Sequence, residues 1–453
     1  MHSLLIVLTS ILVSNQQEFD ALERNIHGAL ASHPSELTVT IAPGHYYFHD
    51  DHIALQGEKH PETKLTISGE GAILEGSAPD VEMTGFFRLT RPVEVVDADR
   101  KLCRIRTRKR LFGQGKSYVQ ITSWYRLFTA PVTEIKGGYI YFSVNDLSRS
   151  GMTYNINGDV SYGKQMPRCR LLLSREPSEP ATAFFKLTDC EFQSVSVSGM
   201  AFTRNTGGRT EYAKDCLIRF YKCKFDQAVV RECDFRSIGS DVIHIAYADG
   251  VEVLNCRFTD CYRIGVLSYN HAGRTVVKDC SFQRMDLSAE NNACVVCSGT
   301  DYRISGNRFE DYGNCAMRLG LHFTEDMKFP SSGIVEQNEI YQTAAYGKVA
   351  PMRLLMDTGA IYVCTQNTSL EIRNNHIHDI SGPCDNRGIF CDDGTVNTHI
   401  RNNEIVRVAN SYCIDLRRAL SVETRSDSKI RRVNVGNRVE NNMVDGRIRF
   451  EKR

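Results

Sequence analysis

The sequence predicts an all-β chain wound into a parallel β-helix, and three observations carry that prediction. A short frame, Cys or Asn followed two residues later by an apolar residue, recurs along the chain with a quasi-period in the twenties. The segments that carry it alternate apolar and polar residues with period 2. No helical segment separates them. Self-similarity at a period of roughly 20–50 residues marks a solenoid, and the alternation makes its unit a strand. A β-propeller would need a longer, more uniform repeat of roughly 40–50 residues.

The frame opens as C-x-F in Cys190-Glu191-Phe192, Cys223-Lys224-Phe225, Cys233-Asp234-Phe235, Cys256-Arg257-Phe258 and Cys280-Ser281-Phe282. It continues with asparagine in Asn307-Arg308-Phe309, Asn338-Glu339-Ile340, Asn375-His376-Ile377, Asn403-Glu404-Ile405 and Asn442-Met443-Val444. From Cys233 onward the steps are 23, 24, 27, 31, 37, 28 and 39 residues, a repeat with insertions. A second apolar strand follows within each coil, as in Val242-Ile243-His244-Ile245, Ala360-Ile361-Tyr362-Val363 and Gly388-Ile389-Phe390-Cys391. Coils stack about 4.8 Å apart, so an Asn at one turn can bond its equivalents above and below. Cysteine fills the same small slot without the amide. The column is structural, and no catalysis is assigned to it.

The remaining elements follow in chain order. Residues 1–17 hold the apolar run Leu4–Val13, too short to span a membrane but suited to a signal peptide; a short N-terminal strand is the alternative. A signal peptide implies a secreted, periplasmic or cell-surface protein. Residues 18–80 form the N-terminal cap and first coils. Phe19, Leu22, Ile26 and Ala29 or Leu30 share one helical face, a capping helix that covers the open end of the stack. Thr38–Phe48 then reads as strand, Pro43-Gly44 turn and strand. Across 81–180 the frame is lost, and strands such as Tyr118–Ile121 and Tyr139–Phe142 indicate an inserted β-rich subdomain. Residues 181–453 are the main coils.

Composition excludes several classes. Hydrophobic residues at 42% and charged residues at 24% rule out wholesale disorder. Lys+Arg 55 against Asp+Glu 54 leaves a net charge of +1, which removes the electrostatic case for nucleic-acid binding. No run of 18 apolar residues exists, so no transmembrane helix is expected. Sixteen cysteines in 453 residues fall below the roughly 8–10% of a disulfide scaffold, and most read as buried small hydrophobes. A zinc site on Cys294-Val295-Val296-Cys297 would need a second ligand pair at matching spacing, which is missing. There is no Walker loop, dinucleotide fingerprint or H-E-x-x-H. A monomer is expected.

The helix followed by Ile41-Ala42-Pro43-Gly44-His45-Tyr46, and then the coils, resembles the pectate-lyase-like superfamily of right-handed parallel β-helix proteins. A sharper resemblance runs through Asn338-Glu339-Ile340, Asp357-Thr358-Gly359-Ala360-Ile361-Tyr362, Asn375-His376-Ile377-His378-Asp379-Ile380 and Gly388-Ile389-Phe390-Cys391-Asp392-Asp393-Gly394. These are similar to the motif series of β-helix glycoside hydrolases. The chain departs from that series at Cys391 and in an enlarged loop from Thr343 to Met356. The resemblance implies a right-handed coil and a carbohydrate-active enzyme; fold alone does not choose among hydrolase, lyase and binding protein.

Glycoside hydrolysis needs a carboxylic acid and a carboxylate, and Asp357, Asp392 and Asp393 are the candidates. Adjacent carboxylates repel, so one of Asp392 and Asp393 should be the more easily protonated. Aligning Ala360-Ile361-Tyr362 with Gly388-Ile389-Phe390 sets Asp357 about seven positions from Asp392, roughly 23 Å if extended, against the about 5–10 Å a catalytic pair needs. A bend must shorten that distance, or the pairing is wrong; Asp-Asp-Gly as a simple turn is the alternative. The same outward face should carry His244, Tyr269, His271, Arg318, His322, Tyr362, Asp415 and Arg417, a cleft for an extended polysaccharide or oligosaccharide. Trp124 is a candidate sugar platform at its rim, or a core residue of the insert. The basic run Arg104–Arg110 is a solvated face or a contact for an acidic glycan.

A polysaccharide lyase would use the same inventory differently. A base removes the proton α to a uronate carboxyl while a cation neutralises that carboxylate. Arg318, Arg353, Lys348, Tyr346 and His322 are the candidates. Hydrolysis requires no cofactor, whereas in a lyase a calcium ion held by Asp392 and Asp393 could replace the cationic side chain. A non-catalytic glycan-binding solenoid is the third reading.

Overall fold

The computed structural model describes residues 8–48, 51–76, 81–83, 87–88, 93–97, 99–106, 116–122, 127–143, 168–174, 183–203, 216–285, 293–320, 331–343, 358–364, 366–380, 386–392, 395–409, 412–416 and 436–450. The described chain winds as a parallel β-helix of three sheets. A representative coil runs Val251–Leu254 in sheet 1, Arg257–Thr259 in sheet 2 and Val266–Tyr269 in sheet 3, then returns to sheet 1 at Val276–Lys278. Among the described residues the sheets hold 12, 11 and 11 strands, each pairing in parallel with the strand one coil away. One continuous apolar core fills the interior, because each coil turns its alternate residues inward.

The corner from sheet 1 to sheet 2 is two residues long. The first adopts a positive φ, at Glu232, Asn255, Asp279, Gly306, Gln337, Asn374, Asn402 and Asn441. The second is the Cys or Asn of the frame. Asn307 Nδ2 donates to Asn338 Oδ1 at 3.0 Å, and the same bond repeats from Asn338 to Asn375, Asn375 to Asn403 and Asn403 to Asn442 at 2.8–2.9 Å. Each Oδ1 also accepts the preceding ladder residue's backbone N–H. Cysteine joins the ladder at its upper end, where the Cys280 N–H donates to Asn307 Oδ1 at 2.9 Å. Two residues on, Phe202, Phe235, Phe258, Phe282 and Phe309 stack inside with centroids 4.6–5.2 Å apart. The five C-x-F units do not form one column, however. Cys190 and Cys223 lie at the corner from sheet 3 to sheet 1, where their thiols donate to Leu55 and Leu187 carbonyls. A local frame reports a corner, not which corner.

Entry into sheet 3 breaks the period-2 rule. Two successive residues turn inward at each coil, among them Leu217-Ile218, Val242-Ile243, Ala316-Met317 and Ala360-Ile361. Some coils use glycine as the first of the two: a Cβ on Gly388 would lie 2.6 Å from the Cys413 carbonyl oxygen. Residues three apart, such as Asp241 and His244, therefore share the outer face.

Leu8–Val13, expected as part of a signal peptide's apolar run, is here the outermost strand of sheet 1. It pairs in register with Glu36–Ile41, burying Val13 and leaving Leu8 and Leu12 exposed. The cap is two helical pieces, Gln16–Asp20 and Leu22–Leu30, divided at Ala21; the Asn15 side chain caps the first. Phe19, Leu22, Ile26 and Leu30 are buried against the first coils. Between Ala72–Gly76 of sheet 2 and Phe185–Thr188 of sheet 3, strands from Val81–Met83 to Arg168–Ser174 form a separate antiparallel sheet. Within it Arg104 pairs with Glu94, so this part of the basic run is already neutralised. The cysteines whose side chains are described are buried and free of disulfide. Among the described residues, no helix is long and apolar enough to cross a membrane.

The ladder makes a stability prediction. Asn375→Ala removes the amide that serves Asn338, Asn403 and the Val335 carbonyl, and should cost at least about 3 kcal/mol by leaving several buried groups unpaired. Asn375→Cys should cost less, since a thiol occupies this slot in the upper coils; urea unfolding midpoints provide the comparison.

Candidate active site

The outer face of sheet 3 collects the polar residues. One column in register runs Lys186, Arg219, His244, Leu267, Val296, Arg318, Tyr362, Phe390 and Asp415. His244, Arg318, Tyr362 and Asp415 therefore share a column, but they do not form a continuous cleft. Ile264, Leu267, Ala293, Val296 and Cys315 make a buried apolar patch at its centre, with Tyr269 and Tyr362 packed on its two sides. Three coil steps, about 14 Å at strand spacing, separate His244 from Arg318. The face thus holds two polar clusters.

The upper cluster is closed. His244 Nε2 lies 3.0 Å from Asp241 Oδ2, and Arg263 Nε lies 3.1 Å from Asp241 Oδ1, which also accepts the Ile264 N–H. His244 and Asp241 side chains are each 2% exposed. Burial alone would discharge the imidazole, but the neighbouring Cys216 sulfur and the Asp241 hydrogen bond outweigh it and raise its pKa to about 9. Burial likewise opposes the Asp241 carboxylate, yet His244 and Arg263 hold its pKa below the ordinary value. His244 is buried against Asp241, which corrects its expected role as a sugar contact on an open face. Tyr269 is half-buried beside it, with ring centroids 5.7 Å apart. His271 is exposed in the corner beyond the strand, at positive φ against Tyr247, and so lies off the face.

The lower cluster is partly open. Tyr362 Oη donates to Asp392 Oδ2 at 2.8 Å, and the Arg318 guanidinium carbon sits 5.4 Å from the centre of the Tyr362 ring. All three are half-buried. Burial, with Cys364 and Asp392 nearby, pushes the Tyr362 phenol well above its ordinary pKa against the opposing pull of Arg318. Tyr362 is therefore a fixed hydrogen-bond donor. Asp392 ends the strand Arg387–Cys391, its N–H donating to the Val363 carbonyl. Beside it Arg387 Nε donates to Asp415 Oδ2 at 2.6 Å, both side chains nearly inaccessible, while the Arg387 guanidinium covers the Phe390 ring at 3.9 Å. Asp415 is committed to Arg387 and is not an exposed acid on the face.

Asp357, Asp393, His322, Lys348, Arg353, Tyr346, Trp124 and Arg417 lie outside the described residues. So does the pairing of Asp357 with Asp392, although Tyr362 opposite Phe390 reproduces the strand alignment assumed for it. Sequence reasoning missed Asp241, Arg263 and Arg387. Each sits at or before the two-residue inward step, where a strict alternation places it on the wrong face. Cys294 and Cys297 both face the core, as the same step requires of residues three apart.

The description "right handed beta helix region" matches residues 180–426, more than half of the chain. The chain belongs to the right-handed β-helix family. This β-helix protein resembles a solved structure titled "Glycoside hydrolase" with a TM-score of 0.55 and 9% identity, covering 96% of each chain. The A-module of Azotobacter vinelandii mannuronan C-5 epimerase AlgE4 aligns with a TM-score of 0.46 and 9% identity over 98% of this chain and 96% of that one. At such identity the likeness is one of fold. Comparison with curated proteins gives no match.

The upper cluster sets a pH dependence. His244 binds its proton more tightly folded than unfolded, so its stabilisation is full below about pH 6.5 and is lost as pH rises through about 9. Asp241 acts oppositely, losing its contribution only as pH falls below the ordinary carboxylate range. The melting temperature should therefore decline from pH 6.5 to 9.5, and His244→Gln should flatten that decline. Asp241→Asn removes the buried carboxylate that serves both His244 and the part-buried Arg263 and should cost about 3–5 kcal/mol at neutral pH, read by denaturant unfolding.

Proposed function

We propose that this β-helix protein is a carbohydrate-active enzyme, a glycoside hydrolase that cleaves a polysaccharide or oligosaccharide at the lower cluster of sheet 3. The observation that carries the reading is the Tyr362–Asp392 hydrogen bond beneath the Arg318 guanidinium. Hydrolysis needs an ionised carboxylate held in one orientation, to attack the anomeric carbon or to activate water. Tyr362 fixes Oδ2 of Asp392 and, being held protonated, does not compete for the proton that the reaction moves. The half-buried Arg318 and Tyr362 offer a cation and a ring face to the sugar. The buried Arg387–Asp415 pair supports Phe390, whose ring packs edge-on against Tyr362 at 5.3 Å.

The adjacency of Arg318 and Tyr362 also favours a second reading, a lyase. Another group would take the α proton as base, Arg318 would neutralise the uronate carboxylate, and Tyr362 would give its own phenolic proton to the leaving oxygen as the C–O bond breaks. The localisation proposed with either reading is extracellular, since such glycans are met outside the cell.

A glycan-panel degradation screen, followed by two readouts, tests the proposal. The hydrolase reading expects new reducing ends without the ultraviolet absorbance of an unsaturated uronate. Asp392→Asn should lower kcat/KM about 10²–10⁴-fold, and Tyr362→Phe by a smaller factor with the fold intact. Ultraviolet-absorbing products would move the assignment to the lyase. Binding without turnover of any glycan, unchanged in Asp392→Asn, would overturn both.

A further inference from the structure

A second cluster stands on the outer face of sheet 2. One outward column there runs Arg308, Glu339, His376 and Glu404 in register, contributed by four successive coils. His378 follows His376 by two residues, and the two imidazole centroids lie 4.3 Å apart. One ligating atom each from Glu339, His376 and His378 falls within 4.8 Å of the others. His378 Nε2 is 3.7 Å from Glu339 Oε1, and His376 Nε2 is 3.8 Å from Glu404 Oε2. We infer that Glu339, His376 and His378 form a binding site for a divalent transition-metal ion of the zinc class, joining two adjacent coils, with Glu404 of a third placed for the remaining position.

The surroundings of His378 support this assignment. Its Nδ1 lies 2.6 Å from Asp379 Oδ2, and a carboxylate only accepts, so Nδ1 carries the proton. Nε2 is left as the nitrogen on the Glu339 side. That atom is buried and has no hydrogen-bond partner, a costly arrangement for an acceptor unless something binds it. The pattern of imidazole on metal and its other nitrogen on a carboxylate is the usual way a ligating histidine is oriented. Asp379 is itself held by Arg407 through bonds of 2.6 and 2.8 Å, and Tyr341 stacks flat on the His378 ring at 5.0 Å. The ring is thus held between Tyr341 and His376, with Nε2 3.7 Å from Glu339 Oε1.

Two imidazoles and a carboxylate suit zinc-class ions better than calcium or magnesium, which prefer all-oxygen shells. Bonds of about 2.0–2.2 Å require the ligating atoms to draw about 1 Å closer than they stand, which rotation of the exposed Glu339 and half-exposed His376 side chains can supply. Arg308 Nε lies 3.8 Å from Glu339 Oε2, the oxygen other than the one nearer His378.

Equilibrium dialysis of the chelator-stripped full chain against zinc, with metal content measured afterwards, tests the site. One equivalent should bind, cobalt substitution should give the visible absorption of a tetrahedral ion, and zinc should raise the melting temperature. His376→Ala with His378→Ala should abolish uptake, while His399→Ala, an outward histidine on sheet 1, should leave it unchanged. Asp379→Asn should weaken zinc binding about 10–100-fold through loss of ring orientation. Glu339→Gln, at a half-exposed position, gives the same test with little risk to the fold. Substoichiometric uptake by the native chain would overturn the assignment, as would full uptake by Glu339→Gln together with the histidine variants.

Discussion

An amide buried in the corner of a β-coil can be satisfied only by the coils above and below it. That constraint holds the solenoid in register. Each asparagine of the ladder accepts from the residue one coil before and donates onward to the next, so a slip of one residue would leave donors and acceptors unpaired along the corner. The stacked phenylalanines two positions on are the apolar counterpart, continuing to Phe309 beside Asn307 and replaced by isoleucine from Ile340 on. Cysteine in the upper coils is a weaker member of the same ladder, bonding a carbonyl and accepting an N–H but offering no second donor.

The candidate active site depends on a different feature of the coil. Because two residues turn inward on entering sheet 3, residues three apart meet on the outer face. Arg387 comes to cover Phe390, and Asp241 comes to bond His244. Charges brought together under cover must be paired, and both clusters obey that rule: Asp241 takes His244 and Arg263, and Asp415 takes Arg387. What remains partly open is Arg318, Tyr362 and Asp392, where a donor, a carboxylate and a cation adjoin the apolar patch. Sheet 2 repeats the stacking on its surface, where Arg308, Glu339, His376 and Glu404 stand in register on successive coils.

The Cys/Asn frame, the alternation in its strands and the capping-helix face were legible in the sequence, because backbone geometry dictates each from nearest neighbours. Three things were not legible. Cys190 and Cys223 belong to a different corner from Cys233 although their local frame is identical. Leu8–Val13 carries an apolar run that suits a signal peptide, and nothing local to it announces its pairing with Glu36–Ile41. The face of sheet 3 was read as one polar groove, since apolar Leu267 and Val296 stand at the same register as His244 and Arg318.

By itself, then, the chain's pattern of side chains determined that it would stack as a parallel β-helix, for strand period and corner chemistry are local properties repeated many times. Which charges meet was decided by tertiary structure. Asp392 finds Tyr362 thirty residues away, Asp415 finds Arg387, and His378 faces Glu339, each across a coil boundary. Coil length varies with every insertion, so distance along the chain does not encode distance in space; the register of the stack does.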